Sequence, residues 1–325
     1  MIELSIVIPV YNEIESLGSL CENLDSALRA LAKSYEVVLV DDGSTDGTWD
    51  KLKELASRYG HMRLIRLRRN FGQTAAMSAG FHHAQGRVVV TLDADLQNDP
   101  ADIPRLLERL DAGVDVVSGW RVDRQDKFLS RRLPSMIANG LISRITGVHL
   151  HDYGCTLKAY RREAIQNVHL YGEMHRFIPA LVSWVGGTVD EVPVTHHPRR
   201  YGKSKYGLSR TVRVVLDLLT VSFLMRYSTR PIQIFGRLGL NFLLPGVILL
   251  GGMLAAQLSY HLFGTVFAAG LIKRPFWVIT AFMLILFGIQ FISMGLMAEL
   301  QTRTYHEAQG KPIYTVREIV DPRAD

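Results

Sequence analysis

Three acidic motifs stand at the ends of apolar runs. Val88-Val89-Val90-Thr91-Leu92 leads directly into Asp93-Ala94-Asp95-Leu96-Gln97. Alternate side chains of a strand share a face, so Asp93 and Asp95 would point the same way if the strand persists that far. Such a carboxylate pair can hold Mg2+ or Mn2+, hard cations that take oxygen ligands and complete their shells with substrate phosphates. A bound ion of this kind neutralises charge on a departing diphosphate. Asp-X-Asp is common by itself, and a second cluster, Asp41-Asp42-Gly43-Ser44-Thr45-Asp46 after Val37-Val38-Leu39-Val40, makes it more specific. That cluster offers acceptors to the base and ribose of a nucleotide beside free backbone N–H groups, or it is a helix start rich in capping residues. It is neither a Gly-X-Gly-X-X-Gly turn nor a Gly-Lys-Ser/Thr loop. Pro9-Val10-Tyr11-Asn12-Glu13 closes the run that begins at Leu4, either as a ligand-receiving segment or as a turn.

The opposite charge is concentrated in Arg199-Arg200-Tyr201-Gly202-Lys203-Ser204-Lys205-Tyr206. Arg199, Arg200, Lys203 and Lys205 can close on a diphosphate leaving group and receive an acceptor phosphate, or they draw the segment to anionic lipids. Arg121 and Arg124 are further phosphate contacts or solvated loop charges. His82-His83 and His196-His197 lack metal-ligand spacing with carboxylates and read as structural or surface residues. The two cysteines, Cys21 and Cys155, form no Cys-X-X-Cys, so neither a disulfide framework nor a structural zinc site is expected, and a reducing compartment fits.

Positioning the motifs falls to short β-branched runs alternating with amphipathic segments from Leu4 to about Val194, the pattern of an α/β, mostly parallel sheet with covering helices. Strands are predicted at Leu4–Val10, Tyr35–Val40, Met62–Leu67, Arg87–Leu92, Val114–Gly119, Leu157–Arg161 and Thr188–Val194. The first four or five are apolar on both faces and therefore central. Leu17, Leu20, Leu24, Leu28 and Leu31 recur at helical spacing. Asp46–Tyr59, Gln73–Gln85 and Pro100–Ala112 are further predicted helices, with Pro100 in a first turn. Ligands of such sheets bind beyond the carboxyl ends of the strands, where the acidic motifs lie.

The 325 residues are 48% hydrophobic, concentrated in the last third, and the net charge of +6 suits an anionic partner: nucleic acid, a phosphorylated substrate or an acidic membrane surface. Leu238–Phe263 and Phe276–Ala298 contain no Asp, Glu, Lys or Arg, and each exceeds the roughly 20 residues that cross a bilayer core. Arg226, Arg230 and Arg237 precede them and Arg303, Lys311 and Arg317 follow, against Lys273 and Arg274 between. Both termini and the soluble domain are thus expected in the cytoplasm. Ser209–Met225 reads as a helix in the membrane interface or packed on the domain. The expected layout is a catalytic domain over 1–207, juxtamembrane amphipathic helices over 208–236, spans over 237–264 and 276–299 around an external loop at 265–275, and a tail over 300–325. No signal peptide is expected.

In order and together, Val7-Ile8-Pro9-Val10-Tyr11-Asn12-Glu13, Asp41-Asp42-Gly43-Ser44-Thr45-Asp46, Arg69-Asn70-Phe71-Gly72-Gln73, Asp93-Ala94-Asp95-Leu96-Gln97 and Arg200-Tyr201-Gly202-Lys203-Ser204-Lys205-Tyr206 resemble the family 2 glycosyltransferases of GT-A fold. Within that family the chain is similar to the polyprenyl-phosphate glycosyltransferases, the dolichol-phosphate-mannose-synthase-like group, and its two spans match the subgroup resembling bacterial bactoprenol glucosyltransferases. The resemblance covers roughly the first two thirds of the chain. It implies that Pro9, Tyr11, Glu13 and Asp41 contact the base and ribose. It also implies that Asp93 and Asp95 flank the diphosphate, with Asp95 the direct metal ligand, and that Gln97 lies near the sugar.

Asp152, in His151-Asp152-Tyr153-Gly154-Cys155, stands where the family places residues facing the transferred sugar, as a catalytic carboxylate or as a capping or structural aspartate. The acceptor phosphate, with a second pKa of about 6, is largely deprotonated at neutral pH and needs no strong base. Asp152 then orients the acceptor or stabilises charge on the sugar ring.

The activity implied is an inverting, Mg2+- or Mn2+-dependent transfer of a hexose, glucose favoured, from a nucleotide-sugar donor such as UDP-glucose to polyprenyl (undecaprenyl) phosphate. It would take place at the cytoplasmic face of the inner (plasma) membrane, in a homo-oligomer embedded in the lipid bilayer and without a nucleic acid partner. Gly251, Gly252 and Ala255 would support packing of the spans. A membrane polysaccharide synthase is the enzymatic rival; the chain has few spans for an export channel and no Gln-X-X-Arg-Trp after Asp152. A non-catalytic membrane adaptor would not need both the acidic pair and the basic loop.

Overall fold

A computed structural model describes residues 2–122, 133–166, 168, 170–198, 216–223 and 312–322, with isolated positions between 258 and 304. Two units are distinguished, Met1–Ser222 with Pro312–Asp325, and Phe223–Lys311. The first is built on an eight-stranded sheet. Its strands are β1 (Leu4–Val10), β2 (Tyr35–Asp41), β3 (Met62–Leu67), β4 (Val88–Thr91), β5 (Val116–Arg121), β6 (Lys158–Arg161), β7 (Val189–Val194) and β8 (Val316–Val320), in the spatial order β7-β5-β6-β4-β1-β2-β3-β8. Pairings among β4, β1, β2 and β3 are parallel, as is β5 with β7, whereas β6 and β8 run antiparallel to their neighbours. The helices are α1 (Leu17–Arg29), α2 (Thr48–Arg58), α3 (Gln73–His83), α4 (Ile103–Asp111), α5 (Leu133–Thr146), α6 (Arg162–Gln166) and α7 (Ile178–Trp184).

The two-sided apolar runs explain why β1, β2, β3 and β4 are neighbours at the centre: Ile6, Val7, Ile8, Val37, Val38, Leu39, Leu64, Ile65, Val89 and Val90 are wholly buried, and alternate ones face opposite layers. On α1 the stripe Leu17, Leu20, Cys21, Leu24 and Leu28 packs into the core on one side, each leucine contributing roughly 2 kcal/mol of burial. On the other side α3 packs on β1 and β2, so closely that a Cβ at Gly80 would lie 2.2 Å from Val7 Cγ1.

Departures from the expected elements have local causes. The segment from Pro100 starts as a 3-10 turn over Pro100–Asp102, with Asp99 accepting from Ala101 N at 2.9 Å, and becomes α-helical only at Ile103. Pro104 has no N–H to return to Pro100, so the α-helical bonding pattern cannot begin earlier. Strand β4 stops at Thr91, short of the acidic pair. Strand β8 comes from the segment expected to be a tail: it pairs with β3, Arg68 N donates to Thr315 O at 3.0 Å, and Arg63 holds Asp321 at 2.6 Å. The expected spans fall outside the described residues except at isolated positions; among the described residues no helix is long and apolar enough to cross a membrane.

Candidate active site

The carboxyl ends of β1 and β2 are laced together. Asp42 N donates to Val10 O at 2.9 Å, Asn12 N to Ser44 Oγ at 2.9 Å, Thr45 N to Asn12 Oδ1 at 2.9 Å and Glu13 N to Thr48 Oγ1 at 3.1 Å. Asn12 adopts φ 52° to make this exchange, a conformation that asparagine tolerates better than most residues. Asp41 is fully buried; its Oδ1 accepts Ser44 N at 3.0 Å and its Oδ2 lies 3.4 Å from Arg66 Nε. Pro9, Tyr11 and Glu13 are half-buried beside it. The expected base-and-ribose residues Pro9, Tyr11, Glu13 and Asp41 therefore occupy one sheet end.

Asp42 has a separate task. Its two oxygens accept Phe71 N at 2.8 Å and Gly72 N at 2.9 Å, drawing the Arg69–Gln73 motif against β2. The approach requires Gly43 at φ +72°, since a Cβ there would meet Arg69 C at 2.5 Å. Burial pushes the Asp42 carboxyl up to about 6, outweighing those two N–H donors. With a folded pKa above the unfolded one, the folded state binds the extra proton between about 4 and 6, so stability falls as pH rises through that window. We expect a loss of roughly 2–3 kcal/mol across it, read by denaturant unfolding at pH 4 and 6.5. Asp42→Asn should flatten the difference; an undiminished slope in that variant would assign the titration elsewhere.

The acidic pair sits on a turn. After Leu92 N bonds Val7 O at 3.2 Å, the chain bends through Ala94 and Asp95, and Leu96 takes φ 60°. Strand alternation therefore does not set the two side chains. Asp93 Oδ1 accepts Gln73 Nε2 at 2.9 Å and Oδ2 accepts Thr156 Oγ1 at 2.6 Å, while Asp95 Oδ1 accepts Gln97 N at 3.1 Å. Gln97 Nε2 is 3.4 Å from His196 Nε2, and its carbonyl accepts His197 N at 2.8 Å. His197 Nε2 also meets Asp99 Oδ2 at 3.0 Å, so this histidine pair pins the segment after β7 to the acidic turn. Among the described residues no cluster of three or more His, Cys, Asp or Glu surrounds a point. Two carboxylates still fit Mg2+ or Mn2+, ions commonly held by one or two carboxylates with water and substrate phosphate supplying the rest. Asp95 and Asp93 are the residues that would hold it.

Asp152 is 2.6 Å from Arg121 Nε through Oδ2 and 3.0 Å from Arg121 Nη2 through Oδ1, and it also accepts Gly154 N at 3.0 Å. Both side chains are largely buried, at 15% and 3% exposure. Arg121, expected as a phosphate contact or a solvated loop charge, forms a bidentate pair with Asp152 and is largely buried rather than solvated. Arg124, Arg199, Arg200, Lys203 and Lys205 lie outside the described residues.

A cleft beside Asp93 gathers residues whose roles the motifs did not reveal. Its lining includes Gln73, Tyr153, Thr156, Lys158, His175 and Arg176. Lys158 is wholly buried on β6, donating to Tyr153 O at 3.3 Å and to Cys155 O, and burial pulls its pKa down. His175 Nδ1 pairs with Thr74 Oγ1 at 2.7 Å. A lone basic dipeptide before Phe177-Ile178-Pro179 carries no spacing signal; only the fold brings it to Asp93. Burial pushes the Cys155 thiol up to about 11 and Cys21 up to about 12, and both are free, so neither offers a reactive thiolate.

Residues 5–168 match the family described as Glycosyl transferase family 2. The chain is 46% identical to dodecaprenyl-phosphate galacturonate synthase of Rhizobium johnstonii over 332 residues, covering 99% of this chain and 94% of the relative. It is 40% identical to undecaprenyl-phosphate 4-deoxy-4-formamido-L-arabinose transferase of Edwardsiella ictaluri over 324 residues, covering 97% and 94%. Among solved structures, glucosyl-3-phosphoglycerate synthase of Mycobacterium tuberculosis with Mn2+, UDP and glucosyl-3-phosphoglycerate superposes with a TM-score of 0.52 at 19% identity, covering 69% of this chain and 79% of that one. The same enzyme with Mg2+ and UDP also gives 0.52, at 18% identity and 69% and 79% coverage; at these identities the likeness is one of fold. The α/β sheet with its acidic turn and the near full-length relatives agree, and the chain belongs to the family 2 glycosyltransferases.

Proposed function

We propose that this glycosyltransferase moves a single sugar from a nucleoside diphosphate donor to polyprenyl phosphate at a membrane surface. The observation that carries the reading is the adjacency of three motifs beyond the carboxyl ends of β1, β2, β3 and β4: the laced segments after β1 and β2, the Asp42-held Arg69–Gln73 loop after β3, and the Asp93–Gln97 turn joined to that loop through Gln73. Nucleotide, diphosphate and sugar would lie along this order. A divalent ion bound at Asp95 and Asp93 would supply Lewis-acid neutralisation of the leaving diphosphate. The relatives' names carry polyprenyl phosphates as acceptors. Glucose draws no support from them: their sugars are galacturonate and 4-deoxy-4-formamido-L-arabinose, and the donor we propose falls in those classes.

The step is an in-line displacement: an acceptor phosphate oxygen bonds to the anomeric carbon as the bond from that carbon to the diphosphate breaks, which inverts the centre. The acceptor oxygen arrives deprotonated, so no side chain has to remove a proton. Asp152, engaged on both oxygens by Arg121, suits this chemistry as a positioning residue that presents Arg121 to the acceptor phosphate. Arg200, Lys203 and Lys205 are proposed for the same anions. Membrane anchorage through the spans at 237–264 and 276–299 would hold the lipid phosphate near the site and lower the entropic cost of encounter. With β8 returning residues 316–320 to the same sheet as β3, two spans would leave the tail and the catalytic domain on one membrane face, which we propose to be the cytoplasmic one from the placement of lysine and arginine. A homo-oligomer formed through the spans completes the proposal.

Purified full-length protein given undecaprenyl phosphate, a panel of nucleotide sugars and Mg2+ should yield one glycosyl-phosphoryl-lipid, visible by mass spectrometry and lost with chelator. A long polymer would indicate a synthase, and no product with any donor would indicate an adaptor.

A further inference from the structure

Two consecutive residues of the loop before β6 are held by the two consecutive residues that end β5. Asp152 takes the Arg121 guanidinium on both oxygens. His151, one position earlier in the loop, lies flat on Trp120, one position earlier in the strand, with ring centroids 4.2 Å apart and planes inclined by 17°. Neighbouring side chains of a strand leave opposite faces of the sheet, so the loop straddles the end of β5 and is gripped on both sides. β7 closes the grip. Glu191, the register partner of Ser118, stands on the indole's side of the sheet. There its Oε2 accepts His151 N at 2.8 Å, and its Oε1 pairs with the ring Nδ1 of His151. From α5, Asn139 Nδ2 donates to His151 O at 2.7 Å. The packing around the ion pair is as close: a Cβ at Gly154 would lie 3.2 Å from Arg121 Nη2 and 3.4 Å from Asp152 Oδ1.

Core packing does not account for His151. Its side chain is 65% exposed, so it buries little apolar area and contributes little to folding by that route. Its ring contacts go to β5 and β7, the strand that carries Arg121 and the strand beside it. A guanidinium serves a phosphate best when its fork is already oriented, because less freedom is then lost on binding. We propose that Trp120, His151 and Glu191 are positioning residues for the acceptor phosphate: they fix the backbone at Asp152, Asp152 fixes Arg121, and Arg121 meets the phosphate. The inference rests on the reading of Arg121 given above.

The test sets undecaprenyl phosphate against undecaprenol, which share the chain and differ by the phosphate. The two compete for full-length protein in mixed detergent micelles, and native mass spectrometry counts the complexes. Wild-type protein should prefer the phosphate at least about 30-fold, the ratio that charge-assisted hydrogen bonds to a held guanidinium carry. His151→Ala and Glu191→Gln should each cut that preference about fivefold or more, while calorimetric titration of UDP with Mg2+ changes by less than about twofold. Two further variants separate the contacts. His151→Asn keeps a donor for Glu191 and loses the stack, His151→Phe keeps the stack and loses the donor, and each should retain part of the preference. Should His151→Ala and Glu191→Gln keep the full preference while Arg121→Met loses it, the positioning role is overturned and the acceptor reading stands. A loss shared equally by undecaprenol, UDP and the phosphate would show a general structural role and overturn it as well. No phosphate preference in wild-type protein, or an undiminished one in Arg121→Met, would remove the reading of Arg121 and this inference with it.

Discussion

Asp95→Asn is expected to lower turnover by at least about 10³-fold at saturating donor and acceptor, equivalent to the ~4 kcal/mol that charge neutralisation at a departing diphosphate supplies. The choice of asparagine matters. Asp95 is 9% exposed and its Oδ1 accepts Gln97 N at 3.1 Å. An asparagine Oδ1 can accept the same N–H, so the turn with Leu96 at φ 60° should survive while the charge is lost. Asp95→Ala would remove both and confound them by ~1 kcal/mol of folding stability. Asp93→Asn should behave differently. Its amide can accept on one oxygen only, so either Gln73 or Thr156 loses its acceptor, and both donor affinity and turnover should fall. Mn2+ binding followed by electron paramagnetic resonance in the presence of UDP separates the two positions: Asp95→Asn should abolish the bound signal, with Asp93→Asn weakening it. Wild-type turnover in Asp95→Asn would remove the metal assignment.

How much of this could be read beforehand depended on whether the signal was local. The strands β1 to β4 are runs such as Val37-Val38-Leu39-Val40, buried on both faces, and no other environment suits so many adjacent branched apolar residues. Strand β8 gave no such signal because Val316-Arg317-Glu318-Ile319-Val320 is largely exposed and lies on the sheet edge, where pairing with β3 rather than burial defines it. The acidic motif was legible as chemistry but not as geometry: periodicity within a strand says nothing about where the strand ends, and here it ends at Thr91. The expected helix from Pro100 was right in existence and wrong in its first turn, for want of one N–H at Pro104. The histidines 196 and 197, expected as structural or surface residues, are bonded to Gln97 and Asp99. Lys158, His175 and Arg176 carried no motif because their meaning comes from a neighbour, Asp93, that is 65 to 83 positions away in the chain. A single sequence displays spacing and periodicity; it does not display which distant charge a folded chain will set beside another.

The Arg121–Asp152 pair is the sharpest case of such a distant partnership, and the second large effect is expected there. The residues are 31 positions apart, on the last residue of β5 and in the loop before β6, and both are largely buried. Removing one partner strands the other charge in a poorly solvated place, which costs ~3–5 kcal/mol in comparable buried pairs. Arg121→Met and Asp152→Leu should each destabilise the catalytic unit by that amount. The double variant should recover most of the loss, because two apolar side chains of similar volume need no compensation. Denaturant unfolding of all four proteins gives the coupling, and single losses that simply add would dissolve the pair. Turnover should not follow stability: the double variant, though refolded to near wild-type stability, should stay at least about 10²-fold slow, since the acceptor phosphate loses a guanidinium held in place. The pH profile then separates positioning from proton removal. A positioning Asp152 leaves the profile of the residual activity unchanged between pH 6.5 and 9 in Asp152→Asn, because the acceptor oxygen is already ionised there. A residual rate that climbs tenfold per pH unit would show instead that hydroxide has replaced a missing base, and Asp152 would be that base.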